Sequence, residues 1–249
     1  MTISKKYNML HPELLQRICE ETPDLKAAKT RLHQLYGAYV NESSHKKAAA
    51  LLAQRDYDAI LRLHASTRER LPHYPEICNF IKSHTGEDNI KTILDLGCGF
   101  NPFALHFWRL PALTAYHACD IDTRTAALLN SFFEIHGLPQ TAECADLIAE
   151  TPAPTADIVL IFKLLPVLEA QKVGRGYELL REVEGRFVVV SYPLKSLGGR
   201  SKGMERNYSA GFMAAVGEGR LGDKRLIAEA RVGDELIYVL KLNPAYPSH

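Results

Sequence analysis

From residue 90 onward, apolar runs of strand length alternate with amphipathic runs of helix length, and near the end the alternation stops. The runs "KTILDLG" (91–97), "AYHACDI" (115–121), "QTAEC" (140–144), "ADIVLIFK" (156–163) and "RFVVVSYP" (186–193) read as strands. Between them, "PFALHFWRL" (102–110), "TRTAALLNSFFEIHG" (123–137) and "GRGYELLREVEG" (174–185) read as helices. Strands joined through helices become parallel neighbours in a sheet covered on both faces. The last two runs, "RLIAEARV" (225–232) and "ELIYVLKL" (235–242), are separated only by Gly233 and Asp234. Two residues leave no room for a crossover helix, so this pair is antiparallel. The expected fold class is therefore α/β: a Rossmann-like sheet of seven strands with a C-terminal antiparallel hairpin.

The first third has a different rhythm. "HPELLQRICEE" (11–21), "DLKAAKTRLHQLYGAYV" (24–40), "ESSHKKAAALLAQ" (42–54) and "RDYDAILRLHA" (55–65) repeat their apolar residues at helical spacing. Prolines in "RERLPHYPE" (68–76) interrupt the pattern before a further helix, "EICNFIKSHTG" (76–86), which Gly86 closes. We therefore expect a helical domain over 1–75 and an α/β domain over 76–249. The formal net charge of the 249 residues is only +1, yet the first 75 carry twelve Lys and Arg against eight Asp and Glu. Two readings are open for this imbalance: a surface for a polyanion, or a solvated helical face.

No apolar run approaches the roughly 20 residues a membrane span needs, and "MTISKKYNML" lacks the apolar core of a secretory signal. The expectation is a cytoplasmic protein with no membrane partner. The five cysteines are scattered, without a C-x-x-C pair, so neither a disulfide framework nor a metal site is expected.

The stretch "LDLGCGFNP" (94–102) ends the first strand in Asp95, Gly97, Cys98 and Gly99 and then reaches Asn101 and Pro102, where a dinucleotide loop usually carries a third glycine. The first glycine permits a tight bend and the second lets a ligand approach bare backbone. Asp120, with Ile121 beside it, ends the next strand, where an acid accepts hydrogen bonds from a ribose diol. A pyrophosphate wants a glycine and an open helix N-terminus there, whereas S-adenosylmethionine brings a carboxylate, an amine and a sulfonium but no phosphate. Asn101 tolerates left-handed angles, Pro102 suits the first turn of a helix, and Asp95 suits a cationic amine or sulfonium. A loop brace is the other reading of Asp95, and a buried small residue the other reading of Cys98.

These features together match class I S-adenosylmethionine-dependent methyltransferases, which finish a doubly wound sheet with an antiparallel hairpin. In that class the position of Asp146, just past the third strand, meets the adenine amino group, with Leu147 against the ring. Phe162 and Lys163 end the fourth strand at the sheet's carboxyl edge, where ligands sit in open α/β folds. Phe162 reads equally well as a core residue.

Four segments in order resemble one family. "LHASTRERL" (63–71), "LDLGCGFNPFAL" (94–105), "LIFKLLPVLE" (160–169) and "SYPLKSLGGRSKGMERNY" (191–208) are similar to the aminoglycoside-resistance 16S ribosomal RNA methyltransferases that modify N7 of decoding-site guanine 1405. "SKKY" (4–7) and "GAYV" (37–40) extend the likeness over nearly the whole chain. The resemblance implies S-adenosylmethionine as methyl donor and a helical domain that docks on 16S rRNA in the assembled 30S subunit; a monomer is expected. It implies that Arg70 holds the methionine carboxylate, with His64 and Ser66 nearby, and that Gly97, Asp120, Asp146 and Leu147 make further cofactor contacts. It also implies that Lys195, Arg200, Lys202 and Met204 engage the RNA and the flipped guanine. Lys5, Lys6, Arg17, Lys26, Lys29, Arg31, Lys46, Lys47 and Arg68 are the cations expected to meet structured RNA through shape and phosphate.

Guanine N7 has a free lone pair and no proton, so its methylation needs no general base and reduces to alignment in a dry site. That agrees with a chain lacking a recognisable nucleophile with a partnered base. The flipped base leaves its stack at a cost of a few kcal/mol, which contacts to RNA must repay. The product carries a fixed positive charge, which repels polycationic aminoglycosides and blocks an acceptor. The alternatives are a class I methyltransferase for another rRNA site or a small molecule, and a non-catalytic ribosome-binding protein with a degenerate methyltransferase fold.

Overall fold

The computed structural model describes residues 7–41, 43–86, 90–195 and 204–243. The N-terminal third is helical: α1 (Pro12–Glu21), α2 (Leu25–Leu32), α3 (Ser44–Ala53), α4 (Tyr57–Leu61) and α5 (Ala65–Arg70). Asp24 and Asp56 cap α2 and α4, accepting from the amides of Ala27 at 2.7 Å and Ala59 at 3.0 Å. The single helix expected over 24–40 breaks after Leu32 into a π-turn, His33–Gly37. The wider turn rotates the chain, and Leu35, Tyr36 and Tyr39 come to face one cavity. Pro72 and Pro75 do not interrupt the helical path but start new segments, a 3-10 turn (Leu71–His73) and α6 (Tyr74–Thr85). Gly86, at φ +77°, closes α6.

The strands follow the sequence reading closely: β1 (Thr92–Leu96), β2 (Ala115–Asp120), β3 (Ala142–Cys144), β4 (Ala156–Phe162), β5 (Gly185–Pro193), β6 (Lys224–Val232) and β7 (Glu235–Leu242). They form one sheet in the order β3-β2-β1-β4-β5-β7-β6. The first five are parallel, and β7 lies antiparallel between β5 and β6. "PFALHFWRL" is shorter than expected: a 3-10 turn (Asn101–Ala104) and a single turn α7 (Leu105–Trp108), which Arg109 ends at φ +49°. α8 (Thr123–Ile135) and α10 (Arg175–Glu182) match their sequence runs, while α9 (Leu165–Glu169) and α11 (Met204–Gly217) were not foreseen. The segment "LKSLGGRSKGMERNY" thus turns helical from Met204 on.

Alternation along the strands sorts the core into two layers. Ile158, Leu160 and Phe162 of β4 join Phe187 and Val189 of β5 on one face, and Val159 and Ile161 join Val188 and Val190 on the other. The first layer also contains Leu14, Ile18, Leu32, Tyr36 and Ile60 from the N-terminal helices. The helices therefore share a continuous core with one sheet face, and they close over the carboxyl ends of β1, β2 and β4.

Candidate functional site

Parallel strands leave their ligands at their carboxyl edge, where strand order reverses. Here the reversal lies between β1 and β4, and a cavity opens above it. His64, Ser66, Arg70, Asp95, Gly97, Cys98, Gly99, Asp120, Ile121, Asp146, Leu147, Phe162 and Lys163 line that single cavity. Asn101 and Pro102 are buried beside it. Asn101 is a bridge: its amide donates to Asp95 at 2.7 Å, and its carbonyl accepts from Arg70 at 3.2 Å and Tyr74 at 2.8 Å.

The two glycines of the loop are required by geometry. Gly97 and Gly99 sit at φ +62° and +52°, and a Cβ at either would meet Leu164 at 2.8 Å or His64 Nε2 at 2.7 Å. The floor of the cavity is thus bare backbone on which a ligand can lie. Cys98 is buried, and its thiol is pushed well above its ordinary range, first by burial and then by Asp95, so it carries no thiolate chemistry.

Two carboxylates face the cavity beside this loop. Asp95 accepts from Asn101 and from Tyr116 Oη at 2.8 Å, and burial raises its pKa to about 6. Asp120 accepts from the amides of Gly99 at 2.9 Å and Asp122 at 3.1 Å, and burial likewise raises it to about 6. Both brace the loop and line the cavity at once. His64 is held neutral, its pKa lowered to about 3 by burial and by Arg70, and its Nδ1 is buried without a partner. An orphaned polar atom, a glycine floor and paired acids fit a ligand with a ribose diol and a cationic centre, as S-adenosylmethionine has.

Arg70 is almost wholly buried and already engaged. It donates through Nε and Nη2 to Glu235 at 2.9 and 3.3 Å and lies 4.5 Å from the centre of the Phe162 ring. Lys163 reaches the same Glu235 carboxylate at 3.1 Å and Glu69 at 2.9 Å. Glu235 is a residue the sequence reading missed. It opens β7, 165 positions from Arg70, and only the fold brings the two together.

The N-terminal helices contribute the outer wall through Leu14, Leu35, Tyr36, Tyr39 and Val40. Arg17, placed among the RNA-facing cations by sequence, points inward instead. Its guanidinium donates to both oxygens of Asp146, one of them at 3.2 Å, and to Gln171 at 3.3 Å. A second tie runs from Tyr36 Oη to the buried Asp122, which also pairs with Arg124 at 2.6 Å. Of the other expected RNA-facing cations, Lys26, Lys29, Lys46, Lys47 and Arg68 are exposed. Arg31 pairs with Glu21 at 2.7 Å, and Lys195 pairs with Asp234 at 2.9 Å. Lys5, Lys6, Arg200 and Lys202 lie outside the described residues, and Met204 opens α11.

Comparison with known proteins bears on the same architecture. The family model described as "Ribosomal RNA methyltransferase (FmrO)" matches residues 3–239. A 16S rRNA (guanine(1405)-N(7))-methyltransferase of Serratia marcescens is 38% identical, the match covering 96% of this chain and 95% of the relative. One from Frankia casuarinae is 36% identical over 96% of this chain and 90% of its own length. Among solved structures, the 16S rRNA methyltransferase RmtF in complex with S-adenosyl-L-homocysteine superposes with a TM-score of 0.84 at 36% identity, covering 96% of this chain and 95% of that one. The 16S rRNA methylase RmtB gives 0.81 at 34% identity, covering 96% and 94%.

Proposed function

This chain belongs to the FmrO family of ribosomal RNA methyltransferases, and on that premise we propose that it methylates N7 of guanine 1405 in 16S rRNA and so confers aminoglycoside resistance. It is a class I S-adenosylmethionine-dependent methyltransferase. The observation that carries the reading is the convergence of segments far apart in sequence on one cavity: Arg70, the 97–99 loop, Asp120 and Asp146.

Bound there, S-adenosylmethionine supplies a methyl on a sulfonium: the N7 lone pair forms the new N–C bond as the C–S bond breaks and its electron pair stays on sulfur. No proton moves, so the residues serve to bind, orient and exclude water. Asp120 would accept from the ribose diol, Asp95 would face the cationic end, Arg70 and Ser66 would hold the carboxylate, Ile121 and Leu147 would offer apolar surface to the adenine, and Asp146 would meet its amino group. A neutral His64 adds no positive charge beside the sulfonium. The substrate form is the assembled 30S subunit, approached by the helical 1–75 region of a monomeric, cytoplasmic enzyme. The exposed cations of α2 and α3 support that docking role.

Labelled methyl from S-adenosylmethionine is expected to enter 16S rRNA of isolated 30S subunits, with cleavage after reduction and aniline treatment at guanine 1405. Incorporation at another nucleotide overturns the reading.

The inward turn of Arg17 gives a second expectation. Lys26→Ala should lower the slope of log affinity for 30S against log salt by about one, whereas Arg17→Ala should leave it unchanged. Arg17→Ala should instead cost about 1–2 kcal/mol of stability, because it strips donors from the buried Asp146. Salt titrations and thermal melts of the two variants check both; equal salt slopes for the two would return Arg17 to the RNA surface.

A further inference from the structure

A second cavity adjoins the first and shares Tyr39, Ser66 and Lys163 with it; its outer wall adds Glu69, Lys195 and Tyr208. Lys163 therefore stands on the partition between the two. Its backbone is held at φ +56°, a left-handed conformation unusual for lysine, by an amide that donates to the carbonyl and hydroxyl of Ser191 at 3.0 and 3.1 Å. Its ammonium bonds Glu69 at 2.9 Å and Glu235 at 3.1 Å, which leaves one of three N–H donors uncommitted by these pairs. Glu69 is about half exposed on the far side of that pair, with a carboxylate oxygen to spare.

We propose that Glu69 and Lys163 read the Watson–Crick edge of the target guanine, Lys163 donating to O6 and Glu69 accepting from N1–H and the 2-amino group. The proposal rests on the guanine-N7 reading above. The order of atoms around the purine decides the fit. N7, O6, N1 and the 2-amino group follow one another along one side of the base. With N7 at the mouth of the first cavity, O6 falls at the partition, and N1–H and the amino group fall further out. That is the order in which the structure sets cavity, Lys163 and Glu69. Tyr39, which borders both cavities, and Tyr208, on the outer wall, offer apolar ring surface to a flipped base.

The pair also discriminates. Adenine presents an amino group where guanine has O6, and a bare N1 where guanine has N1–H, so it would set a donor against the ammonium and a lone pair against the carboxylate. Its contribution grows along the reaction. Attack by N7 leaves positive charge in the purine, which makes N1–H more acidic and strengthens its bond to a carboxylate. Glu69 is thus a catalytic residue that touches the base and works without removing a proton.

The test uses the full chain, 30S subunits and single-turnover methyl transfer at saturating cofactor. Glu69→Gln is expected to slow transfer by about 10- to 100-fold while the dissociation constant for S-adenosylhomocysteine, measured by calorimetry, stays within about twofold. Glu69→Asp, which keeps the charge, is expected to run faster than Glu69→Gln. Transfer by Glu69→Gln at the wild-type rate overturns the proposal, as does a rate loss matched by an equal loss of cofactor affinity, or a Gln variant faster than the Asp variant. If the wild-type chain itself puts no methyl on guanine N7 of 30S subunits, the functional reading fails first, and this result is separate from the others.

Discussion

Glu235→Ala is expected to lower the stability of the protein by about 3–5 kcal/mol, the cost of removing one partner from a buried ion pair. Glu235 is nearly inaccessible, and around it lie the guanidinium of Arg70, the ammonium of Lys163 and the hydroxyl of Ser191, which donates at 2.8 Å. Burial works to raise the pKa of this carboxyl, but Arg70, then Lys163, and the hydrogen bonds from Ser191 and Arg70 outweigh it and hold it below the ordinary carboxylate range. Its stabilising effect is thus present above the unfolded pKa and is lost as pH falls through the lower folded value. Removing the carboxylate leaves Arg70, buried against Phe162, with only neutral hydrogen-bond partners, Asn101 and Ser66 among them. For a chain of this length the loss corresponds to a drop in melting temperature of about 6–20 °C. Thermal and denaturant unfolding of the variant provide the check, and a loss below about 1 kcal/mol would show that solvent reaches the pair and screens it. The bound cofactor offers partial rescue, since a ligand carboxylate would replace the missing partner of Arg70.

What the sequence disclosed and what it withheld divide along a physical line. The strands are legible because each carries its own period and ends in its own punctuation: "TILDLG" stops at a glycine that φ +62° demands, and the turn at Gly233 can only close a hairpin. Asp120 is legible for the same local reason, one strand further on. Glu235 and Glu69 are not: Glu235 adjoins no motif, and Glu69, although it lies within "LHASTRERL", gains its meaning only from Lys163, which the sheet order delivers from elsewhere, as it delivers Glu235 to Arg70. Arg17 misled in the opposite way. A helical cation among other cations reads as surface, and only the fold brings α1 to Asp146, through the backbone pairing of Leu10 and His11 with Asp122 and Ile121 at the end of β2. α9 was missed because five residues carry too little periodicity, and α11 because its first turn follows a run of glycines and cations.

The affinity for S-adenosylhomocysteine is expected to fall about 100-fold between pH 7 and pH 5. Asp95 and Asp120 each titrate at about 6, chiefly because burial disfavours their charged forms. On the proposed binding mode, a ligand amine would lie beside Asp95 and a ribose diol beside Asp120, and both would want the ionised acid as acceptor. At pH 5 each carboxyl must give up a proton before it can serve, and one pH unit below its pKa this costs about 1.4 kcal/mol, or a factor of about ten, per group. Above pH 7 both are already ionised and the affinity levels off. On the stability of the free protein these two acids act in the opposite sense. A carboxyl whose folded pKa is raised contributes stability that is fully present below the unfolded value and is lost as pH rises through about 6. The neutral His64 and His45 oppose this: burial lowers their pKa values to about 3 and about 4, so their stabilising effect is present above the unfolded imidazole value and is lost as pH falls, and the binding curve rather than apo stability reports the two acids. Calorimetric titrations from pH 5 to 8 in buffers of different ionisation enthalpy would report both the affinity and the protons released. Asp95→Asn should remove one of the two proton steps and reduce the fall to about tenfold, with its own loss of affinity at pH 7. A wild-type affinity that stays flat between pH 5 and 7 would mean that neither acid meets the ligand, and the cofactor's cationic end would then have to lie against other groups of the cavity.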